Sequence, residues 1–313
     1  MTVHRGRFAP SPTGRIHLGN ARSALLGWWW ARAQGGQFLL RIEDLDRQRS
    51  RPEFLEELFR DLEYLGIDWD EPPLYQSRRQ DVYDAVLEQL SGRGFLYECF
   101  CSRTEIARAA SAPHGPADEG PIYPGTCLPL TRTERLERAK LRSSAVRFRP
   151  REGEVCFEDG LHGPYCQDVA REVGDFVVRR NDGVASYQLA VVVDDAASGI
   201  THVLRGDDLL SSTPRQLLLY EALVHPPPTF AHVPLILGPD GKRLAKREGA
   251  FAVTELREAG VPAERVVGLL AGWSGLDPTP RPARELVPEF DLLKVPRAPV
   301  PTTEQDIRRA LEI

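Results

Sequence analysis

Long hydrophobic runs are absent from this 313-residue chain. No stretch of about 18 uncharged apolar residues occurs, and the densest, Leu25 to Trp30, is too short to cross a bilayer. The first ten residues hold no apolar core of a secretory signal, which points to a cytoplasmic protein with no membrane partner. Cysteine is scarce and odd in number, five in all. A disulfide framework is therefore not expected, and metal ligation or free thiols are. A basic excess is lacking too: the formal net charge is −5, so a nucleic-acid partner must be held by a local basic surface. Lysine is rare, four against 36 arginines, a bias read as base composition of the genome. What is present, 42% hydrophobic and 27% charged residues, suits one large or two small globular domains.

The pattern along the chain alternates. Residues 3–9 read as a strand entering a turn-rich loop, and helical spacing runs from Leu18 to Ala33. Gln37 to Ile42 reads as a buried strand. Phe54, Leu55, Leu58, Phe59, Leu62 and Leu65 fall on one helical stripe, and Val82, Val86 and Leu90 on a second. Strand, helix, strand, helix implies a parallel α/β sheet. Residues 97–130, rich in Cys, Pro, Gly and Ala, break the rhythm as an insertion would. Further strands are expected at Ser144–Arg149, Asp175–Arg180, Gly183–Val193 and His232–Leu237. Thr213-Pro214-Arg215-Gln216 predicts a helix start capped by Thr213. A helix near Val261–Trp273 precedes a proline-rich stretch with one helical scrap, Glu304–Leu311. Trp28, Trp29 and Trp30 read as helix packing with one ring partly exposed.

Three constellations carry chemistry. The first is Pro10-Ser11-Pro12-Thr13-Gly14-Arg15-Ile16-His17-Leu18-Gly19-Asn20, which sets an imidazole beside a helix N-terminus where unsatisfied N–H groups favour phosphate. The second, Lys242-Arg243-Leu244-Ala245-Lys246-Arg247, lies more than 220 residues later in a loop leaving a strand. A histidine at a helix start and a lysine loop can together clamp a triphosphate. The third is Cys99-Phe100-Cys101 with Tyr123-Pro124-Gly125-Thr126-Cys127, three sulfurs spaced for a structural Zn²⁺ and one ligand short of a tetrahedron. On residue chemistry His114 is the favoured fourth ligand. Cys156 and Cys166 lack a partner pattern and are expected to be inert.

APSPTGRIHLGN resembles the first signature of the class I aminoacyl-tRNA synthetases, and KRLAKR resembles their lysine-bearing second signature. RFAPSPTG, RIEDLD, SYQLAVVVDD and VLRGDDLLSSTPRQ resemble the glutamyl branch in particular. Two departures are visible: Asn20 stands where a second His is common, and Ala245 stands where Ser is usual. The resemblance implies a Rossmann-like core in two halves, residues 1–96 and 141–250, a zinc-bearing insertion at 97–140 within the acceptor-binding region, and a short helical tail at 251–313. It implies ATP binding, with Mg²⁺, by His17, Gly19, Asn20 and Lys246, with His17 and Lys246 catalytic. It implies a glutamate pocket of Arg7, Phe8, Ala9, Pro10, Ser11, Glu43, Tyr187 and Arg205. Carboxylates call for guanidinium forks and an ammonium for a carboxylate, but which arginine takes which carboxylate is left open. Asp44, Asp46, Asp194, Asp195, Asp207 and Asp208 are expected to orient loops. For the zinc, the resemblance points to Tyr123 rather than His114.

The reaction so implied is activation of L-glutamate to glutamyl-adenylate and transfer to a hydroxyl on tRNA, by a monomer without an obligate protein partner. After Arg247 only 66 residues remain, too proline-rich in their last 40 for a further helical domain. Resemblance to the short glutamyl-queuosine tRNA(Asp) synthetases makes the expected acceptor the queuosine at the wobble position of tRNA(Asp). A conventional glutamyl-tRNA synthetase charging a 3′ end is the alternative. A silent glutamate or tRNA sensor would have no use for a phosphate clamp. A nucleotidylyltransferase sharing both signatures would have none for RIEDLD and VLRGDD.

Overall fold

The computed structural model describes residues 3–102, 104–106, 122–242, 244 and 251–313. β1 (Arg5–Phe8) and β2 (Gln37–Ile42) pair in parallel, joined by α1 (Leu18–Ala33). α1 is a core helix: Leu18, Leu25, Leu26 and Trp29 are fully buried, Trp28 is nearly so, and Trp30 keeps a partly exposed ring. Both buried indoles satisfy their N–H groups, Trp28 on Asp68 and Trp29 on the Ala283 carbonyl. α2 (Pro52–Tyr64) is amphipathic and starts at a proline whose missing N–H costs nothing there. β3 (Leu74–Tyr75) then adds parallel to β2, and α3 (Gln80–Gly92) follows.

β4 (Leu96–Cys99) leads into the cysteine-bearing segment expected to be an insertion, where α4 (Arg132–Ala139) opens with a capping box between Thr131 and Glu134. β5 (Ala145–Phe148) returns antiparallel to β4. β6 (Val155–Asp159) and β7 (Gly163–Gln167) form a hairpin, and β8 (Phe176–Arg179) closes a three-stranded sheet on β5. α5 (Tyr187–Ala197), β9 (His202–Gly206), α6 (Thr213–Leu223) and β10 (Thr229–Val233) complete the second half. β9 and β6 flank β10 in parallel. β1 lies alongside β9, where the Thr201 N–H donates to the Arg5 carbonyl at 2.9 Å. One apolar cluster, built on α1 and α2, fills one face of the sheet, and a second, built on α3, α5 and α6, fills the other. This is the expected Rossmann-like α/β class.

The lysine loop leaves from β11 (Ile236–Leu237). α7 (Val253–Glu258) and α8 (Ala263–Gly272) follow it, and β12 (Val300–Pro301) returns to pair with β11. α9 (Glu304–Leu311) sinks Ile307 and Leu311 into the first cluster.

Four expectations are corrected. Gly183–Val193 is not a strand: helix α5 begins at Tyr187 behind Ser186, whose hydroxyl accepts the Leu189 N–H. Its β-branched Val191–Val193 are buried, so it shows no polar face to betray a helical period. Thr213 is not a cap but the first helical residue, wholly buried, with its hydroxyl engaged by Arg205 instead. His232–Leu237 is not one strand. Pro234 supplies no N–H for a ladder, and β10 and β11 separate around it. Cys156 and Cys166 are not inert thiols: they face each other across the β6–β7 hairpin, Cα atoms 4.1 Å apart, and form a disulfide.

Candidate functional site

β1 and β9 end side by side, and the chain's crossovers leave them in opposite directions, the place where open α/β sheets form a crevice. Arg7 and Arg205 are each the penultimate residue of their strand, so both guanidinium groups arrive at that crevice. A cleft of about 430 Å³ opens there. Arg7, Phe8, Ala9, Pro10, Ser11, His17, Gly19, Asn20, Glu43, Tyr187 and Arg205 all line it. Leu244 lines it as well, whereas the expected Lys246 and the alternative metal ligand His114 lie outside the described residues.

His17 is the N-cap of α1, and its Nδ1 accepts the Asn20 N–H at 3.3 Å. A neutral imidazole so engaged carries its proton on Nε2. The ring folds over Gly19, where a Cβ would meet Cε1 at 3.0 Å, so a larger residue there would have to push the imidazole aside by a few tenths of an ångström. Phe251–Val253, which follow the lysine segment, run back along the first signature. The Leu18 N–H donates to the Phe251 carbonyl, and the Val253 N–H to the Ile16 carbonyl. The flanks of the two signatures thus meet.

At the other end sits a buried charge network. Arg7 Nε donates to Asp195 Oδ1 at 3.2 Å. Arg41 bonds the same Asp195 oxygen and reaches Glu43 Oε1 at 3.1 Å. Burial pushes the Glu43 carboxyl above its usual range, against the pull of Arg41 and Arg7. Asp195 is buried too, but the two arginines hold it below its usual range. Its neighbour Asp194 takes Gln76, Arg79 and Tyr83. Asp195 therefore anchors arginine side chains from inside a helix rather than orienting a loop, whereas Asp194 does hold the connection before α3 through Gln76 and Arg79.

Arg205 has different company. Its Nε donates to His232 Nε2 at 3.0 Å, and its Nη2 to Thr213 Oγ1 and Gln216 Oε1, each at 2.9 Å, with the Leu209 carbonyl at 3.4 Å. Its Nη1 faces the Tyr187 hydroxyl at 3.5 Å. It does not pair with the adjacent Asp207 or Asp208 in any of these bonds. Burial lowers its pKa from the ordinary arginine value. Arg41, Asp159, His232 and Gln216 were not among the expected site residues. Arg41 and Gln216 stand inside RIEDLD and VLRGDDLLSSTPRQ, whereas Asp159 and His232 belong to no quoted motif and meet their partners only across the sheet.

At the insertion, among the described residues, the Sγ atoms of Cys99, Cys101 and Cys127 lie within 4.8 Å of one another. Cys101 Sγ is 3.5 Å from Cys127 Sγ and 3.8 Å from the Tyr123 hydroxyl. The edges of a tetrahedron about Zn²⁺ with S and O ligands are about 3.5–3.8 Å, so the donor set fits. The Cys127 and Phe100 N–H groups point inward, onto the Tyr123 oxygen and the Cys127 sulfur. Arg147 stacks over the Tyr123 ring at 3.7 Å.

A family model described as tRNA synthetases class I (E and Q), catalytic domain, matches residues 3–287. The chain belongs to that family. It is a ligase of the aminoacyl-tRNA synthetase type, from a family that uses ATP. This synthetase is 54% identical to a protein of Symbiobacterium thermophilum named Glutamyl-Q tRNA(Asp) synthetase, over 94% of each chain. It is 48% identical to a protein of the same name from Nocardia farcinica, over 98% of this chain and 96% of that protein. A Glutamate--tRNA ligase of Synechococcus sp. is 46% identical over 87% of this chain but only 57% of its own length. Among solved structures, a glutamate tRNA ligase from Elizabethkingia meningosepticum, in complex with its amino acid, superposes with a TM-score of 0.84. It is 30% identical and covers 99% of this synthetase and 69% of its own chain. No described helix is long and apolar enough to cross a membrane.

Proposed function

We propose that this synthetase activates L-glutamate with ATP and transfers it to the queuosine at the wobble position of tRNA(Asp). The observation that carries the first half is the single cleft, with arginines and a buried acid at one end and a histidine-capped helix start at the other. Glu43 takes the ammonium, and Arg7, Tyr187 and Arg205 take the carboxylates. Phe8, Ala9, Pro10 and Ser11 form the wall between. ATP lies over Gly19 and Asn20, with Mg²⁺ as its companion.

The glutamate α-carboxylate attacks the α-phosphorus, and pyrophosphate leaves as the mixed anhydride forms. His17 donates from Nε2 to a phosphate oxygen as charge develops, and Lys246 adds its cation. A hydroxyl of the nucleic acid then attacks the anhydride carbonyl and AMP departs. No side chain becomes covalently modified; positioning and charge supply the rate. Cys99, Cys101, Cys127 and Tyr123 would hold one structural Zn²⁺, which would knit the insertion and take no part in the cleft.

Support for the acceptor comes from the relatives matched over nearly their whole length, which carry the Glutamyl-Q tRNA(Asp) name. The likeness to glutamate tRNA ligases favours a second reading, transfer to the tRNA 3′ end. Charging queuosine-bearing tRNA with labelled glutamate, then excising the anticodon stem-loop, separates them. Label is expected on the anticodon fragment and absent with queuosine-deficient tRNA. Label on the 3′-terminal fragment would establish the second reading.

A further inference from the structure

His232 and Asp159 are wholly buried, and the cleft chemistry just described does not use them. They join two strands: Asp159 ends β6, and His232 lies on β10 directly opposite Arg205 of β9. The contacts settle the histidine's proton. Arg205 Nε has only a hydrogen to offer, so His232 Nε2, 3.0 Å away, must be bare. Its proton therefore lies on Nδ1, which faces Asp159 Oδ2 at 2.6 Å. The Thr213 hydroxyl accepts from Arg205 Nη2 and lies 3.2 Å from Nε2, which closes a triangle of contacts around the guanidinium. Asp159 is fixed in turn, since its Oδ1 accepts the N–H groups of Leu161, His162 and His232.

From this chain of contacts we infer that Asp159 and His232 are positioning residues for Arg205, orienting its guanidinium through a neutral acceptor so that its positive charge stays available to a substrate carboxylate. This rests on the proposed glutamate-activating function and deepens it. A carboxylate in the place of His232 would orient Arg205 equally well but would neutralise it. Interposing a neutral ring moves the acid one side chain further off while keeping the guanidinium fixed. With Arg205 assigned to the side-chain carboxylate, the device favours that acid over its amide, because an amide would leave a buried cation without its partner.

The test is glutamate-dependent exchange of labelled pyrophosphate into ATP by the full chain, with KM for glutamate and for ATP measured separately. His232→Leu removes the acceptor, whereas His232→Gln keeps an acceptor oxygen near the Nε2 position. The Leu variant is expected to raise KM for glutamate about 10-fold or more, with KM for ATP within about 2-fold, and to narrow the preference for glutamate over glutamine. The Gln variant should recover most of that loss. An unchanged KM for glutamate in a folded Leu variant, or equal rises in both KM values, would overturn the inference. So would a Gln variant no better than Leu at the same melting temperature. Should the Leu variant not fold, nitrogen NMR of the wild-type histidines decides: Nδ1 of His232 protonated and Nε2 bare, with Nε2 moved by added glutamate. A protonated Nε2 would sink the idea. Wild-type protein lacking any glutamate-dependent exchange would instead remove the functional reading, and the NMR result would still judge the relay.

Discussion

Two buried arginines enter one cleft with opposite electrostatic company. Arg7 shares Asp195 with Arg41, and Arg41 also holds Glu43, so that side is a mesh of two cations and two acids. Arg205 is met by an imidazole, a hydroxyl, an amide and a carbonyl, all neutral. The pKa directions of Arg41 and Arg205 differ accordingly: burial acts against both, yet the acids hold Arg41 above the ordinary arginine value, while Arg205 falls below it. A guanidinium already paired with an acid is a well-placed donor with little charge to spare. One held by neutral acceptors keeps its charge for what arrives.

The comparison can be broken most severely at Asp195. Asp195→Asn leaves Arg7 and Arg41 buried with Glu43 and the more distant Asp194 as their acids, and is expected to cost about 3–5 kcal/mol of stability, read by urea unfolding. A loss under about 1 kcal/mol would mean that water already shields the pair. Next, Arg205→Gln should lower kcat/KM for glutamate in pyrophosphate exchange by about 10²–10³-fold. Arg7→Gln should lose less, since Asp195 keeps Arg41. Equal losses would erase the distinction between the two arginines.

A third test uses protons. Burial takes His4 and His232 down to about 4 from the ordinary histidine value of 6.5. Between those values the unfolded chain binds more protons than the folded one. Stability is therefore full above about pH 6.5 and lost as pH falls toward 4. Melting temperature followed from pH 7 to 4.5 should drop, and His4→Phe should flatten the fall; a flat wild-type curve would contradict the burial argument. The smallest effect on the cleft is expected from the insertion. Cys101→Ser should abolish binding of about one Zn²⁺ per chain yet leave exchange within a few-fold. Tyr123→Phe should weaken the metal, and His114→Ala should not. The reverse pattern would replace Tyr123 as the fourth ligand.

The first half of the fold was readable because its elements carry their own punctuation. Gly35 and Gly36 precede β2 and Glu43 and Asp44 follow it, Pro52 opens α2, and α2 wears an apolar stripe. α5 was not, because buried Val191–Val193 look alike in a strand and in a core helix; Ser186, three residues before Leu189, was the available signal. The β6–β7 hairpin carried the alternation of a strand, inward at Val155 and Asp159 and outward at Cys156 and Glu158. Once it was missed, the disulfide was missed with it. At the site, residues belonging to long motifs were legible. Asp159 and His232 were not, because they act on an arginine 46 and 27 positions away; Asp195 stands in a quoted motif, but its pairing with Arg7, 188 positions away, was not readable there. Only the strand order reveals such partners.

The hairpin has one more effect, on solubility. β7 is the outermost strand of its four-stranded sheet, where a free row of N–H and C=O groups invites a second chain to pair. Pro164 deletes one donor from that row, and the Cys156–Cys166 bond fastens the strand to its neighbour, so it cannot peel away to expose β6. The border of the sheet is thus a poor template for fibrous growth, even though this hairpin carries, on its inner strand, the acid that holds His232.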